Sequence, residues 1–339
     1  MHRLRRVLAL LIGLVSAPLH AAVLPADQWQ DYRALFVSPD GRIVDTGNQG
    51  VSHSEGQGYG LLLALAAENR ADFERIWNWT RSNLQRQDKL FAWQWSPRLD
   101  PPVKDWNNAT DGDLLIAWAL ARAAAHWQVP QWQDEARTIA ARLRGTLLRE
   151  APFGPLLLPG QQGFEEKGNL LVNPAYWVYP ALAELARIDP EGPWEAVSQS
   201  GQRLLRLTRY GAAGVPPDWI RLHADGRLAL PAESAQRRLG FEAIRVPLYL
   251  CWAGLHDNAL LEGFLRAWPD EGAPAWIDLS NSDRAAYPLT LSQRAMRQLV
   301  IDCRQDRPTQ ALRLSADDYY GSTLTLLAQL ALARPKSLP

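Results

Sequence analysis

"HSEGQGYGLLLALAAENRADFERIWNWTRSNLQR", residues 53–86, holds two helical patterns back to back. The first runs through "LLLALAA" (61–67) and is apolar nearly all round. The second, "DFERIWNWTRSNLQR" (72–86), spaces its apolar residues at i, i+3 and i+4 and fills the rest with charge. A helix that is apolar all round must be buried, and an amphipathic one covers it. The spacing predicts helices over 56–69 and 71–86. The gap between them is short, which favours antiparallel neighbours.

The same couple recurs. Helical periodicity pairs 111–127 with 131–149, 174–187 with 193–208, and 246–256 with 258–268. Further helices are predicted over 25–36, 291–302 and 319–334, and strand-like alternation is scarce. The pair openings fall near 55, 111, 174 and 242, which is the period of a helical-hairpin architecture. No sequence motif repeats with that period, so a simple solenoid is excluded. A closed toroid of hairpins accounts for the pattern: an all-α fold with a buried inner ring, an amphipathic outer ring, and a cleft lined by the N-terminal ends of the inner helices. One domain over 22–339 is expected.

Composition fits such a core, with 47% hydrophobic residues in 339. Lys plus Arg and Asp plus Glu stand at 36 each. That balance argues against nucleic acid or an anionic membrane as partner and favours a neutral one. Tryptophan is over-used, 15 against 7 Phe. Its flat apolar face and single N–H suit sugar rings, although about half of these residues are expected simply to pack. Arg3, Arg5 and Arg6, the apolar run Val7–Val15 and the small residues up to Ala22 have the order of a secretory signal. Residues 1–21 are therefore expected to be removed, and the mature chain to be periplasmic or secreted without stable membrane insertion. Cys251 and Cys303 make no disulfide framework. Cys251 reads as a small hydrophobe in a buried helix, while export leaves a bridge open. The six His show no metal-ligand spacing, so neither metal nor cofactor is expected.

Carboxylates stand at the starts of the buried helices: Glu55, then Asp111 and Asp113, then Glu242 just upstream of the fourth pair. Each alone could be a helix-terminal acid, and Thr110 with Asp113 reads as a capping box. Gly56, Gly58 and Gly112 accompany them, at about 1 kcal/mol each against Ala in a helix. Glycine admits a close approach to the backbone, and a substrate lying against the helix start is the expected reason. The spacing is GxGxG, not GxGxxG, with no preceding strand, so a dinucleotide loop is rejected. Two carboxylates across an aromatic cleft are what glycoside hydrolysis requires, one protonated and one ionised.

"SEGQGYG" (54–60), "ATDGDLLIAWALARAAAHW" (109–127) and "AIRVPLYLCWAG" (243–254), with the late "DDYYGSTLTLLAQLA" (317–331), resemble glycoside hydrolase family 8, and most closely its branch that accompanies bacterial cellulose synthases. The resemblance covers essentially the whole mature chain. It implies an (α/α)6 barrel and inverting endo-hydrolysis of β-1,4-glucan, with cellulose chains and the cellulose synthase export machinery as partners. It implies that Glu55 is the general acid and that Asp111 distorts the sugar ring and positions water. At the place of the base the family pattern is aromatic-Asp-Ala, then Arg-x-Pro. This chain reads Phe241-Glu242-Ala243, then Arg245-Val246-Pro247, so Glu242 stands one methylene longer than the usual aspartate. Arg245 is expected to orient a carboxylate. Tyr59, Trp93, Trp95, Trp106, Tyr176, Tyr319 and Tyr320 are the candidate sugar-lining residues. Two rivals remain. A polysaccharide lyase on a helical toroid would press His53 and Arg245 into service and leave the carboxylates unexplained. An inactive glycan-binding component would carry Glu242 as its mark.

Overall fold

The computed structural model describes residues 23–333 apart from His256. The expected export segment, 1–21, lies outside the described residues. Eleven α-helices follow in order: α1 Ala26–Phe36, α2 Ser54–Ala66, α3 Arg70–Leu84, α4 Thr110–Trp127, α5 Pro130–Leu147, α6 Tyr179–Ile188, α7 Trp194–Leu207, α8 Arg245–Trp252, α9 Asn258–Ala267, α10 Leu291–Arg304 and α11 Tyr319–Ala331. Local chemistry sets several of their starts. Asn69 and Asp257 accept from Asp72 N and Leu260 N at 3.0 Å, and Asp318 accepts from Gly321 N at 2.7 Å. A Thr290–Gln293 capping box opens α10. Helix α6 begins later than the sequence pattern suggested. Pro174 opens a separate 3₁₀ turn, Pro174–Tyr176, and the α-helix restarts with Pro180 in its first turn.

Every residue of α2 except Glu55 is buried, and α4, α8 and α11 are buried nearly all round. Helix α3 buries only a stripe that includes Phe73, Ile76, Trp77 and Leu84. Contacts run from α2 to α4, α4 to α6, α6 to α8, α8 to α10 and α11, and from α11 back to α2. That closes the ring, with α3, α5 and α7 packed against α2, α4 and α6, while α9 packs mainly against α10 and not against α8, with which the sequence pattern paired it. This is the expected (α/α)6 toroid. Among the described residues no helix is long and apolar enough to cross a membrane.

The loops hold one feature the sequence pattern did not disclose, a four-stranded antiparallel sheet of Glu165–Glu166, Asn169–Val172, Ile220–Leu222 and Leu228–Ala229. A second small pairing sets Arg238–Leu239 against Ile277–Asp278. Strands of two to four residues are too short to show alternation.

Two expectations are corrected. The glycines of α2 and α4 face protein, not a cleft. A Cβ on Gly58 would lie 2.6 Å from Leu115 Cβ, and one on Gly56 2.6 Å from the Tyr319 hydroxyl. A Cβ on Gly112 would lie 2.7 Å from Glu55 N. The glycines therefore let α2, α4 and α11 approach closely. And Cys251 is not a free thiol, because it is bridged to Cys303, with Cα atoms 6.0 Å apart, tying the end of α8 to the end of α10. Eight of the fifteen tryptophans are buried, Trp29 and Trp194 among them, in line with the expected share that packs.

Candidate active site

Helix α2 presents Glu55 in its first turn, next to a short pairing of Ser52–His53 with Gln94–Trp95 and a Ser54 N–H bond to Trp93 O at 3.1 Å. The absence of a side chain at Gly112 brings the first turn of α4 against that of α2, and with it Asp111. Arg245, the first residue of α8, enters the same space and is 2% exposed. One guanidinium thus meets three carboxylates. Its Nη1 donates to Asp111 Oδ2 at 2.9 Å and contacts Glu55 Oε1, while Nη2 contacts Glu242 Oε2.

Further donors complete the cluster. Tyr59, one turn beyond Glu55, donates to Glu55 Oε1 at 3.0 Å and shares a 2.7 Å hydrogen bond with the Tyr249 hydroxyl. Asn173 Nδ2 donates to Glu242 Oε2 at 3.0 Å. The Tyr176 ring lies 5.7 Å from the Arg245 guanidinium carbon, and Tyr320 donates to Phe241 O at 2.7 Å. Glu242 is no helix cap, since the N-cap of α8 is Ile244 and makes no side-chain bond.

Burial, then the neighbouring Glu242, pushes the Asp111 carboxyl well above the ordinary range, against the opposing Gly112 N–H bond. Burial also raises Glu242, opposed by Asn173. Its side chain nevertheless keeps about a third of its surface open, so it remains reachable from solvent. Burial raises Tyr59, Tyr176, Tyr249 and Tyr320, which keeps their hydroxyls protonated as donors. Three carboxyls around one cation carry excess negative charge, and that repulsion adds to burial in raising Asp111.

The remaining sequence candidates divide. Trp93 donates to Asp105 Oδ2 at 2.9 Å and stacks on His53, 6.1 Å between ring centres. Trp95 packs edge-on to Trp79 with Arg42 over its face, so it serves the wall more than its surface. Trp106 is half exposed, in a 550 Å³ pocket with Asp105, Asn107 and Gln162 that contains none of the three carboxylates. Tyr319 is not on the cleft wall. It is 4% exposed, packs against Phe36 at 5.6 Å and holds its hydroxyl beneath Gly56. Asp113 is not part of a capping box. It accepts from Phe91 N at 2.9 Å and Asn108 Nδ2 at 2.7 Å, while Thr110 donates to Leu158 O at 2.6 Å. Sequence reading missed Asn173, Tyr249 and Asp218, as well as Trp219, which stacks on Phe164 at 5.7 Å and lies 6.0 Å from Tyr176. Tyr249 could have been found, because it sits in the quoted "AIRVPLYLCWAG" one turn beyond Arg245.

The model of glycosyl hydrolases family 8 matches residues 3–334. The chain belongs to glycosyl hydrolases family 8. A probable endoglucanase of Novacetimonas hansenii is 40% identical over 327 residues, 95% of this chain and 94% of that one. An endoglucanase of Cellulomonas uda is 38% identical over 276 residues, 80% and 77% of the two chains. The family 8 endoglucanase Cel10 of Klebsiella pneumoniae superposes with a TM-score of 0.83 at 37% identity, covering 90% of this chain and 98% of that one. The endo-β-1,4-glucanase CMCax of Acetobacter xylinum gives 0.82 at 39%, covering 91% and 97%.

Proposed function

We propose that this family 8 chain is an endo-1,4-β-glucanase that cleaves β-1,4-glucan within the chain and inverts the anomeric carbon. The observation that carries the reading is the convergence of Glu55, Asp111 and Glu242 on Arg245. Glu55 donates the proton to the departing glycosidic oxygen. Tyr59 fixes its orientation by donating to Oε1. Glu242 takes the proton of the attacking water. Asn173 and Arg245 aim its carboxylate, and its partial exposure gives the water access. Asp111 holds the distorted sugar and the water between them, and Arg245 fixes Asp111 and Glu242 relative to each other.

Export and partnership with a cellulose-synthesis machine belong to the same proposal. The charged and apolar start of the sequence supports export, and so does the Cys251–Cys303 bridge, since disulfides persist in oxidising compartments. Reducing-sugar release by the purified mature protein on soluble cellulose, xylan and chitosan tests the substrate. Cellulose is expected to be cleaved fastest, and release from xylan or chitosan alone would overturn the glucan reading.

A further inference from the structure

Glu242 sits on a stretch of backbone that is neither helix nor strand, between Arg238–Leu239 and the start of α8. Buried N–H groups in such a stretch need acceptors. Here one atom serves three of them. Asp218 Oδ1 accepts from Gly240 N at 3.0 Å, Glu242 N at 3.2 Å and Ala243 N at 2.8 Å. Asp218 lies 24 residues upstream, between Pro217 and Trp219, and is 6% exposed. The two segments are also joined through their main chains: Asp218 N donates to Arg238 O at 2.7 Å, and Trp219 N to Gln236 O at 2.8 Å. Gly240 completes the fit, because any Cβ there would run into the Asp218 carboxylate.

We infer that Asp218 is a positioning residue for the reaction: by gripping the backbone on both sides of Glu242 it sets where that carboxylate stands relative to the bound sugar and its water. This rests on the role given to Glu242 above. Among the described residues the side chain of Glu242 bonds Asn173 and Arg245 alone, and its extra methylene gives it more rotamers than an aspartate has. The backbone therefore has to be held more firmly, since catalytic groups work only within about 0.5 Å of the productive position. Asp218 touches Glu242 through the Glu242 N–H, not through the substrate.

The test compares Asp218→Ala, Asp218→Asn and Glu242→Ala in the full mature protein, with activity normalised to the folded fraction. Asp218→Ala should lower kcat on soluble cellulose at least about tenfold while leaving KM within about twofold. Asp218→Asn keeps an acceptor oxygen and should retain most of the turnover. Sodium azide supplies the diagnostic. On a dinitrophenyl β-cello-oligosaccharide, azide attacks the anomeric carbon as the C–O bond to the dinitrophenolate breaks, and no proton has to be removed. A misplaced base is therefore bypassed, and both Asp218→Ala and Glu242→Ala should be accelerated by azide and yield the α-glycosyl azide. Wild-type kcat in folded Asp218→Ala, or a loss that azide does not relieve while Glu242→Ala responds, overturns the role of Asp218 alone. A fully active Glu242→Ala overturns it together with the base assignment. If Asp218→Ala does not fold, Gly240→Ala, which must push the carboxylate aside, takes its place with the same two readouts.

Discussion

Arg245 and Asp111 form a salt bridge of 2.9 Å in which each side chain keeps only 3% of its surface exposed. The two lie 134 residues apart, on α8 and α4, so the bridge pins one wall of the ring to another. Burying such a pair is costly, and breaking it by removing one partner costs more. Arg245→Met should lower stability by about 3–5 kcal/mol in urea unfolding, because it leaves the carboxylates facing each other without a cation. Arg245→Lys restores the charge but not the fork that spans Asp111 and Glu242, so it should recover more stability than activity.

Glu55 is the one residue of α2 that is not buried, at the start of a helix whose other positions are all committed to packing. Glu55→Gln keeps the shape and can still accept from Tyr59. Turnover on soluble cellulose should fall by a factor on the order of 10²–10⁴, with the thermal midpoint and cello-oligosaccharide binding little changed. Calorimetric titration against initial rates checks both halves, and a folded, near-fully active variant would remove Glu55 from the mechanism.

Much of this was legible in the sequence, and the exceptions share a cause. The apolar runs and charged starts mark the helices, so the ring and the places of Glu55 and Asp111 can be read from local pattern. Glu242 can be read as a carboxylate beside Arg245 and Pro247. What could not be read depends on pieces distant in sequence. Asp218 acts on backbone N–H groups more than twenty residues away, Cys303 meets Cys251 only because α8 and α10 are neighbours, and Gly58 faces Leu115 on the next inner helix. Helix-start glycines look the same whether a ligand or another helix approaches them, and here it is a helix.

Asp113 gives the protein a pH dependence of its own. Burial pushes its carboxyl up to about 7, against the bonds from Asn108 and Phe91 that favour its ionised form. A carboxyl whose pKa is higher folded than unfolded binds more protons when folded, so its contribution favours folding below the unfolded pKa and is lost as pH rises towards 7. The loss amounts to at most about 4 kcal/mol. Asp113→Asn removes this titration. The stability difference between wild type and Asp113→Asn should therefore move against the wild type from pH 4 to pH 7 and flatten above that, as read from urea unfolding across the range. A constant difference would mean that Asp113 titrates alike in both states.

The Cys251–Cys303 bridge closes a span of 52 residues that includes α9 and most of α10. Constraining that loop in the unfolded chain is worth about 2–4 kcal/mol. Cys303→Ser, or wild type unfolded under reducing conditions, should lose stability of that order. Turnover per folded molecule should hold, because the bridge sits at the C-terminal end of α8, away from Arg245 at its start. Urea curves with and without dithiothreitol check the first part, and initial rates at low denaturant the second.

Glu242 carries the departure from the family pattern, and its surroundings sharpen what its loss should do. It does not cap α8, so the 0.5–2 kcal/mol typical of a lost cap is not the expected effect. It bonds Asn173 and contacts Arg245, and its side chain is the most open of the three carboxylates. Glu242→Ala should therefore leave a folded protein that hydrolyses soluble cellulose slower by a factor on the order of 10²–10⁴. Glu242→Asp shortens the reach by one methylene and restores the usual family residue. With the backbone held by Asp218, it should keep substantial activity if a small shift of water closes the gap. Proton NMR of the wild-type reaction should show the α-anomer appearing first from the β-linked glucan, with mutarotation following. A β-anomer appearing first would mean retention, in which a carboxylate attacks the anomeric carbon and the glycosyl-enzyme so formed is hydrolysed by water. An active, folded Glu242→Ala would instead move the base elsewhere in the cleft.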